Sequence, residues 1–150
     1  MKLAFFVRHF SERGTEVALY DYAHFNETLL GNTSIIIGFT PQTCAALSLP
    51  CIPSVVEKFQ SRFRVILVSS FAEVDPILRR EGVDVYYTLT HGGFERPPFG
   101  DVTACTSAVH CVFEPRFPHG DIYFAISPQL NARFGTSLPV VPHIVRRGTT

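Results

Sequence analysis

The segment Leu3-Ala4-Phe5-Phe6-Val7 is apolar at every position and stops at Arg8. A strand with one wet face alternates polar and apolar side chains, so an unbroken run this short belongs to a strand covered on both faces. Such strands occur in parallel sheets sandwiched between helices. Comparable segments recur at 34–39, 64–69, 83–89, 108–113 and 122–126.

Helical signals separate most of these runs. Ala18, Tyr22, Phe25 and Leu29 are spaced four, three and four apart, which predicts one apolar helix face. Thr15 is the expected cap at its start and Gly31-Asn32 its stop. Ser54-Val55-Val56-Glu57 reads as a capping box, with Val55, Val56, Phe59 and Phe63 as the buried face. Asp75-Pro76 and Ser127-Pro128 each read as an N-cap followed by a first-turn proline, for short helices ending at Gly82 and Gly135. The alternation predicts right-handed βαβ units and an α/β fold: a Rossmann-like open parallel sheet with flanking helices. Three segments stand outside the pattern. Residues 40–53 carry three prolines and read as irregular, 91–122 offers no helix to join the strands around it, and 137–145 is extended around Pro139 and Pro142. Residues 1–145 are expected to form the domain, with 146–150 as a polar tail.

Hydrophobic residues make up 46% of the 150 and charged residues 17%, the balance of one folded domain rather than a disordered chain. Thirteen basic and thirteen acidic side chains cancel, which argues against a dedicated nucleic-acid binder. The pairs Arg79-Arg80 and Arg146-Arg147 are too short to change that. Cys44, Cys51, Cys105 and Cys111 form no C-x-x-C pair, and a chain of this length folds without staples, so free thiols in a reducing compartment are expected. Arg8 and His9 cut the first apolar run too short for a secretory signal, and no stretch is long enough to span a bilayer. The expectation is a cytoplasmic protein with no membrane span.

Ligands in open parallel sheets bind beyond the carboxyl ends of the strands, and three places qualify. After the first strand, Ser11-Glu12-Arg13-Gly14-Thr15-Glu16 puts a glycine at a helix start, where amide groups and the dipole favour an anion such as phosphate. The plain alternative is a tight turn that only feeds the helix. The pattern is neither G-x-G-x-x-G nor a P-loop, so a dinucleotide or NTPase site is not supported. After the fourth strand, His91-Gly92-Gly93 can wrap a ligand, or be a surface loop. On the fifth strand, His110 points away from Cys111 and either donates to a ligand oxygen or is satisfied in the core. Cys105, His110, Cys111 and His119 match no zinc spacing, so no metal is expected. No G-x-S-x-G elbow or paired nucleophile is present.

The segment Arg13-Gly14-Thr15-Glu16-Val17-Ala18-Leu19-Tyr20-Asp21-Tyr22-Ala23 resembles the N-terminal half of GT-B-fold glycosyltransferases, in particular the glycogen-synthase-like retaining group. Val109–Phe113, Gly120–Ser127 and Val140–Val145 agree in order, so the resemblance covers nearly the whole chain. It implies one half of a GT-B enzyme: an acceptor-side domain that works with a second, donor-binding domain on a nucleotide-sugar donor and a glycan or other hydroxyl acceptor. No cofactor is implied. By resemblance Gly14 and Thr15 lend backbone amides to the donor diphosphate, with His91, Gly92 and Gly93 on the same rim. His110 is the best match for the imidazole that meets the donor sugar, and His91 competes for that role. The family has two glycines in the first turn, and here Arg13 replaces the first. Arg13 therefore either crowds the diphosphate or pairs with it. The family's donor-binding carboxylates belong to the second domain, which these residues do not include. A non-catalytic glycan- or anion-binding module of the same fold is the alternative, and an unrelated Rossmann-like transferase a third reading.

Overall fold

A computed structural model describes residues 1–92, 99, 101–142 and 144. Six parallel strands form one sheet: β1 (Lys2–Val7), β2 (Thr33–Phe39), β3 (Arg64–Val68), β4 (Val85–Gly92), β5 (Thr106–Glu114) and β6 (Ile122–Ala125). Their spatial order is β3-β2-β1-β4-β5-β6, the doubly wound α/β order of a Rossmann-like fold. The helices are α1 (Gly14–Thr28), α2 (Pro41–Ala46), α3 (Pro53–Arg62), α4 (Val74–Arg80) and α5 (Pro128–Phe134).

The apolar run of β1 is buried on both faces, as its lack of alternation requires. Phe5 and Val7 pack with Leu19 and Ala23 of α1 and with Val55, Val56 and Phe59 of α3. Ala4 and Phe6 pack on the other face with Cys44 of α2 and with Val74, Ile77 and Leu78 of α4. Phe99 closes that second layer among the rings of Phe6, Phe39 and Phe71.

The helix starts depart from expectation where proline or a side-chain acceptor changes the cap. α1 begins at Gly14 with Arg13 as N-cap, and Thr15 lies inside its first turn. Its buried residues are Glu16, Ala18, Leu19, Ala23 and Asn26; of the expected face Ala18 is buried, Tyr22 and Phe25 are half-buried, and Leu29 is 74% exposed. Asn26 is buried because its amide donates to Ser34 Oγ at 2.9 Å. α3 starts at Pro53, capped by Ile52, so Ser54 is not a cap. Pro53 lacks an N–H and fits the first helical position, which moves the start two residues towards the N-terminus. Asp75 is no cap either. Ser70 and Glu73 form a capping box that opens a 3-10 turn over Phe71–Glu73, and α4 continues from it. Asp75 instead accepts from Thr103 N, Thr103 Oγ1 and Ala104 N at 2.9–3.0 Å, pinning the chain that enters β5. Burial opposes its charge, but these donors hold the Asp75 pKa below the usual carboxylate range. Residues 41–46, expected irregular, form α2, because Thr40 caps it through Thr43 N and Pro41 takes the first position.

No α-helix joins β4, β5 and β6 among the described residues. The β5–β6 return is residues 115–121, and β6 starts opposite Ala108. Running back from Glu114 to that level takes about 20 Å, which seven residues reach only when extended; as a helix they would cover roughly 10 Å. None of the described helices is long and apolar enough to cross a membrane.

The register slips where β4 and β5 end. Thr90 pairs with Cys111, but Gly92 pairs with Glu114, so β5 carries one extra residue there. Gly92 has φ +77, and a Cβ on it would meet the Glu114 carbonyl oxygen at 1.7 Å. Gly92→Ala should therefore cost about 3 kcal/mol or more, by combining left-handed backbone with a backbone clash. Urea unfolding monitored by circular dichroism measures it, and a loss below about 1 kcal/mol would contradict this close approach.

Candidate functional site

The strand order reverses between β1 and β4; α1, which follows β1, packs on one face of the sheet, and Phe99, which follows β4, packs on the other. Arg13, Gly14 and Thr15 from the tip of α1 line one cavity of about 390 Å³ together with His91, Val112, Phe113 and Ile126. The sequence candidates after the first and fourth strands thus meet in one place. The extra residue in β5 helps to shape it: Phe113 swings out, 55% exposed, and stacks on His91 with ring centres 5.2 Å apart. Gly92 sits at the back of this rim, pressed on β5, and its structural role is that close approach. Gly93, the third residue of that turn, lies outside the described residues, as does the expected 145/146 boundary.

Gly14 is different. Its φ is not left-handed, and a Cβ there would meet nothing within 4 Å. The Arg13 N-cap makes no side-chain cap bond to the first turn. Helix starts leave amide groups without intrahelical acceptors, so this tip presents donors and the positive end of the dipole to the cavity. Arg8 and Arg13 add positive charge. Among the described residues, no carboxylate forms an ion pair with either guanidinium. Burial, and after it Arg8, lowers the His91 pKa, with Arg13 adding to the effect and Glu16 opposing it.

His110 is not at this rim. It is fully buried in mid-strand, shares a hydrogen bond through Nδ1 with the Tyr87 hydroxyl, and stacks on Phe124 at 4.3 Å. It projects to the α1 side beside Tyr22, while Cys111 packs on the opposite side near Tyr123 and Leu138. His91 is the imidazole that the cavity reaches.

A buried polar cluster stands behind the α1 tip, and it was not singled out from sequence. Thr15 Oγ1 donates to Glu16 Oε2 at 2.8 Å, and Ser11 Oγ donates to the same oxygen at 3.2 Å. Ser11 Oγ also lies 3.1 Å from His9 Nδ1 and accepts from Arg13 N at 3.4 Å. With the Ser11 proton on Glu16, the consistent tautomer carries its proton on Nδ1 of His9. Burial, with Arg13, Arg8 and His91 nearby, pushes the His9 pKa down to about 4. His9 is therefore neutral at pH 7, and its 3.4 Å approach to Glu16 Oε1 is a polar contact rather than an ion pair. Burial raises the Glu16 pKa against the hydrogen bonds from Thr15 and Ser11. Ser11, Thr15 and Glu16 belong to the candidate segment 11–16, whereas His9 reads in sequence only as the end of an apolar run. A small cavity of about 20 Å³, the size of one water, borders His9, Thr15, Glu16 and His91. Among the described residues, no group of three or more His, Cys, Asp and Glu is arranged to hold a metal ion.

No protein-family model, curated protein or solved structure matches this chain.

The His9 environment has a pH consequence. Its folded pKa of about 4 lies below the ordinary 6.5, so the unfolded chain takes up a proton first as the pH falls. Stability present above pH 6.5 is lost between pH 6.5 and 4, by up to roughly 3 kcal/mol. Glu16, shifted upward, works in the opposite direction, so the comparison is with His9→Gln. Wild type should lose stability on acidification more steeply than this variant, and the His9 imidazole proton shift should stay neutral to below pH 5 by NMR. An ordinary imidazole titration near 6.5 would show that His9 is not held as described.

Proposed function

We propose that this chain is the acceptor-side domain of a nucleotide-sugar-dependent glycosyltransferase, and that the tip of α1 holds the donor diphosphate. The observation that carries this reading is Gly14. The fold makes no demand for glycine there, and the space beyond it opens into a cavity rimmed by Arg13, Thr15 and His91. Bare amides at a helix start, the positive dipole end and Arg13, which ion-pairs with no described carboxylate, suit a diphosphate. In this reading Arg13 pairs with the diphosphate rather than crowding it. The resemblance of Arg13–Ala23 to the GT-B first turn, and the doubly wound strand order, support the same assignment.

In the proposed role, Gly14 and Thr15 donate amide hydrogen bonds to phosphoryl oxygens and Arg13 neutralises charge. His91 faces the donor sugar. His110 orders the sheet core through Tyr87 and Phe124 instead of meeting substrate. Transfer then needs the donor-side domain that the resemblance implies, to exclude water and align the acceptor hydroxyl.

Titration with uridine diphosphate, and with inorganic pyrophosphate as the minimal probe, tests the site. Both should shift the amide resonances of Gly14 and Thr15 and raise the melting temperature. Gly14→Val should abolish both effects, while Arg13→Ala should weaken binding about tenfold, the loss of one charge-assisted hydrogen bond. Unchanged Gly14 and Thr15 amides at millimolar probe would overturn the assignment. Binding of pyrophosphate without any preference for the nucleotide would favour an anion-binding module.

A further inference from the structure

Two of the four cysteines flank the turn that follows α2, Cys44 in the last part of the helix and Cys51 beyond the turn. Cys44 is fully buried on α2, and Cys51 is half-buried where it bridges Phe10. The six residues between them fold back sharply. Ser48 N donates to Ala45 O at 3.2 Å, and Leu49 N donates to Cys44 O at 2.8 Å. Ser48 makes the turn with φ 55, the one left-handed non-glycine residue among those described. An L side chain adopts that conformation at a cost, so the surrounding contacts must hold it there. The outcome is that Cys51 packs against the same apolar cluster that contains Cys44. The Cys51 thiol also acts directly on Cys44: burial first, then Cys51, pushes the Cys44 pKa up to about 11.

We propose that Cys44 and Cys51 form a redox pair that closes to an intramolecular disulfide across this turn. The oxidant is a small disulfide such as oxidised glutathione. The more accessible Cys51 thiolate attacks one glutathione sulfur, forming a mixed disulfide and releasing one glutathione thiolate. The Cys44 thiolate then attacks Cys51 Sγ, breaking the mixed disulfide and releasing the second glutathione. Two protein thiols are oxidised, one glutathione disulfide is reduced to two thiols, and both protons end on glutathione. Burial keeps Cys44 protonated at neutral pH, so closure accelerates as the pH rises. The bond ties α2 to the segment where Ile52 N donates to Phe10 O at 2.8 Å. Phe10 leads directly into Ser11 and Arg13, so the crosslink anchors the loop behind the α1 tip. Nothing in this proposal depends on what that tip binds.

The full chain is incubated with oxidised glutathione at several pH values, quenched in acid, denatured, alkylated and mapped by peptide mass spectrometry. The expected product has alkyl groups on Cys105 and Cys111 only, with Cys44 and Cys51 in a peptide lighter by two hydrogens that gains two alkyl groups after reduction. Closure should speed up about tenfold per pH unit from 7 to 8. Cys44→Ala should stop at a glutathione adduct on Cys51, and Cys51→Ser should leave Cys44 free. Where a variant fails to fold, the wild-type map decides alone. Four alkylated cysteines, a stable glutathione adduct on wild-type Cys51, or a bridge through Cys105 or Cys111 would each overturn the proposal.

Discussion

β1 is hydrogen-bonded along both edges, to β2 on one side and β4 on the other, and its side chains are buried on both faces. Everything at its carboxyl end inherits that rigidity. The chain leaving Val7 must turn into α1 on one face, while the chain leaving β4 must go the other way towards β5. The gap between these departures is a consequence of topology, and it exists before any particular side chain lines it. Arg8, His9 and Arg13 come from one lip and His91 from the other. The His9–Ser11–Glu16–Thr15 cluster then fixes how the first lip sits on the sheet.

The two halves of the sheet are covered differently. α1 and α3 cover one face of β1–β3, and α2 and α4 cover the other. The β4–β6 half has no α-helix in its crossovers among the described residues; α5 packs on β5 and β6, and other segments fill the rest of its faces. Phe99 enters the aromatic layer on the α4 side, with its carbonyl accepting from the Tyr86 hydroxyl. On the α1 side, the extended chain near the C-terminus pairs Val140 with Ala125, and the Tyr22 hydroxyl donates to Pro142 O at 2.7 Å. A largely apolar cavity of about 300 Å³ remains there, bordered by Phe5, Tyr22, Phe25, Tyr87, Val141 and Ile144. The Tyr87 hydroxyl and His110 Nδ1 are bonded to one another beneath Tyr22 of α1.

The strands were the legible part of the sequence, because a run such as Leu3–Val7 has no polar face to misread. Helix presence was legible too, but helix starts were not. Ser127-Pro128 capped α5 as expected, with Ser127 Oγ accepting from Leu130 N at 3.1 Å. The equivalent Thr40-Pro41 signal is masked by the neighbouring prolines, and Asp75-Pro76 imitates it while Asp75 serves another loop. The rim residues Arg13, Gly14, Thr15 and His91 were legible as a group because strand-end position is readable from strand order. The buried cluster was not. His9 and Glu16 are far enough apart in sequence that only the turn through Ser11 and Gly14 brings them together. His110 shows the opposite failure: strand membership was right, but depth along the strand decides whether an imidazole reaches a ligand, and periodicity does not give depth.

Gly14 and Arg13 make the strongest physical case for an anion at the rim, because each breaks a local rule without internal compensation. Glycine is among the poorest helix formers after proline, and here neither a positive φ nor a close neighbour requires it. An arginine at the start of a helix faces the positive end of the dipole, where an acidic side chain is normally favoured. The Arg8 guanidinium lies 5.7 Å over the Phe99 ring and adds positive charge near His91, and no described carboxylate ion-pairs with either cation. Local choices that disagree with the fold tend to gather where a protein meets its ligand. An anion seated on the Gly14 amides would offset the repulsion between the dipole and the Arg13 guanidinium. Gly92, on the facing lip, breaks no such rule, since the β5 backbone leaves no room for any other residue. The two glycines look equivalent in sequence, and only their surroundings tell the structural one from the open one.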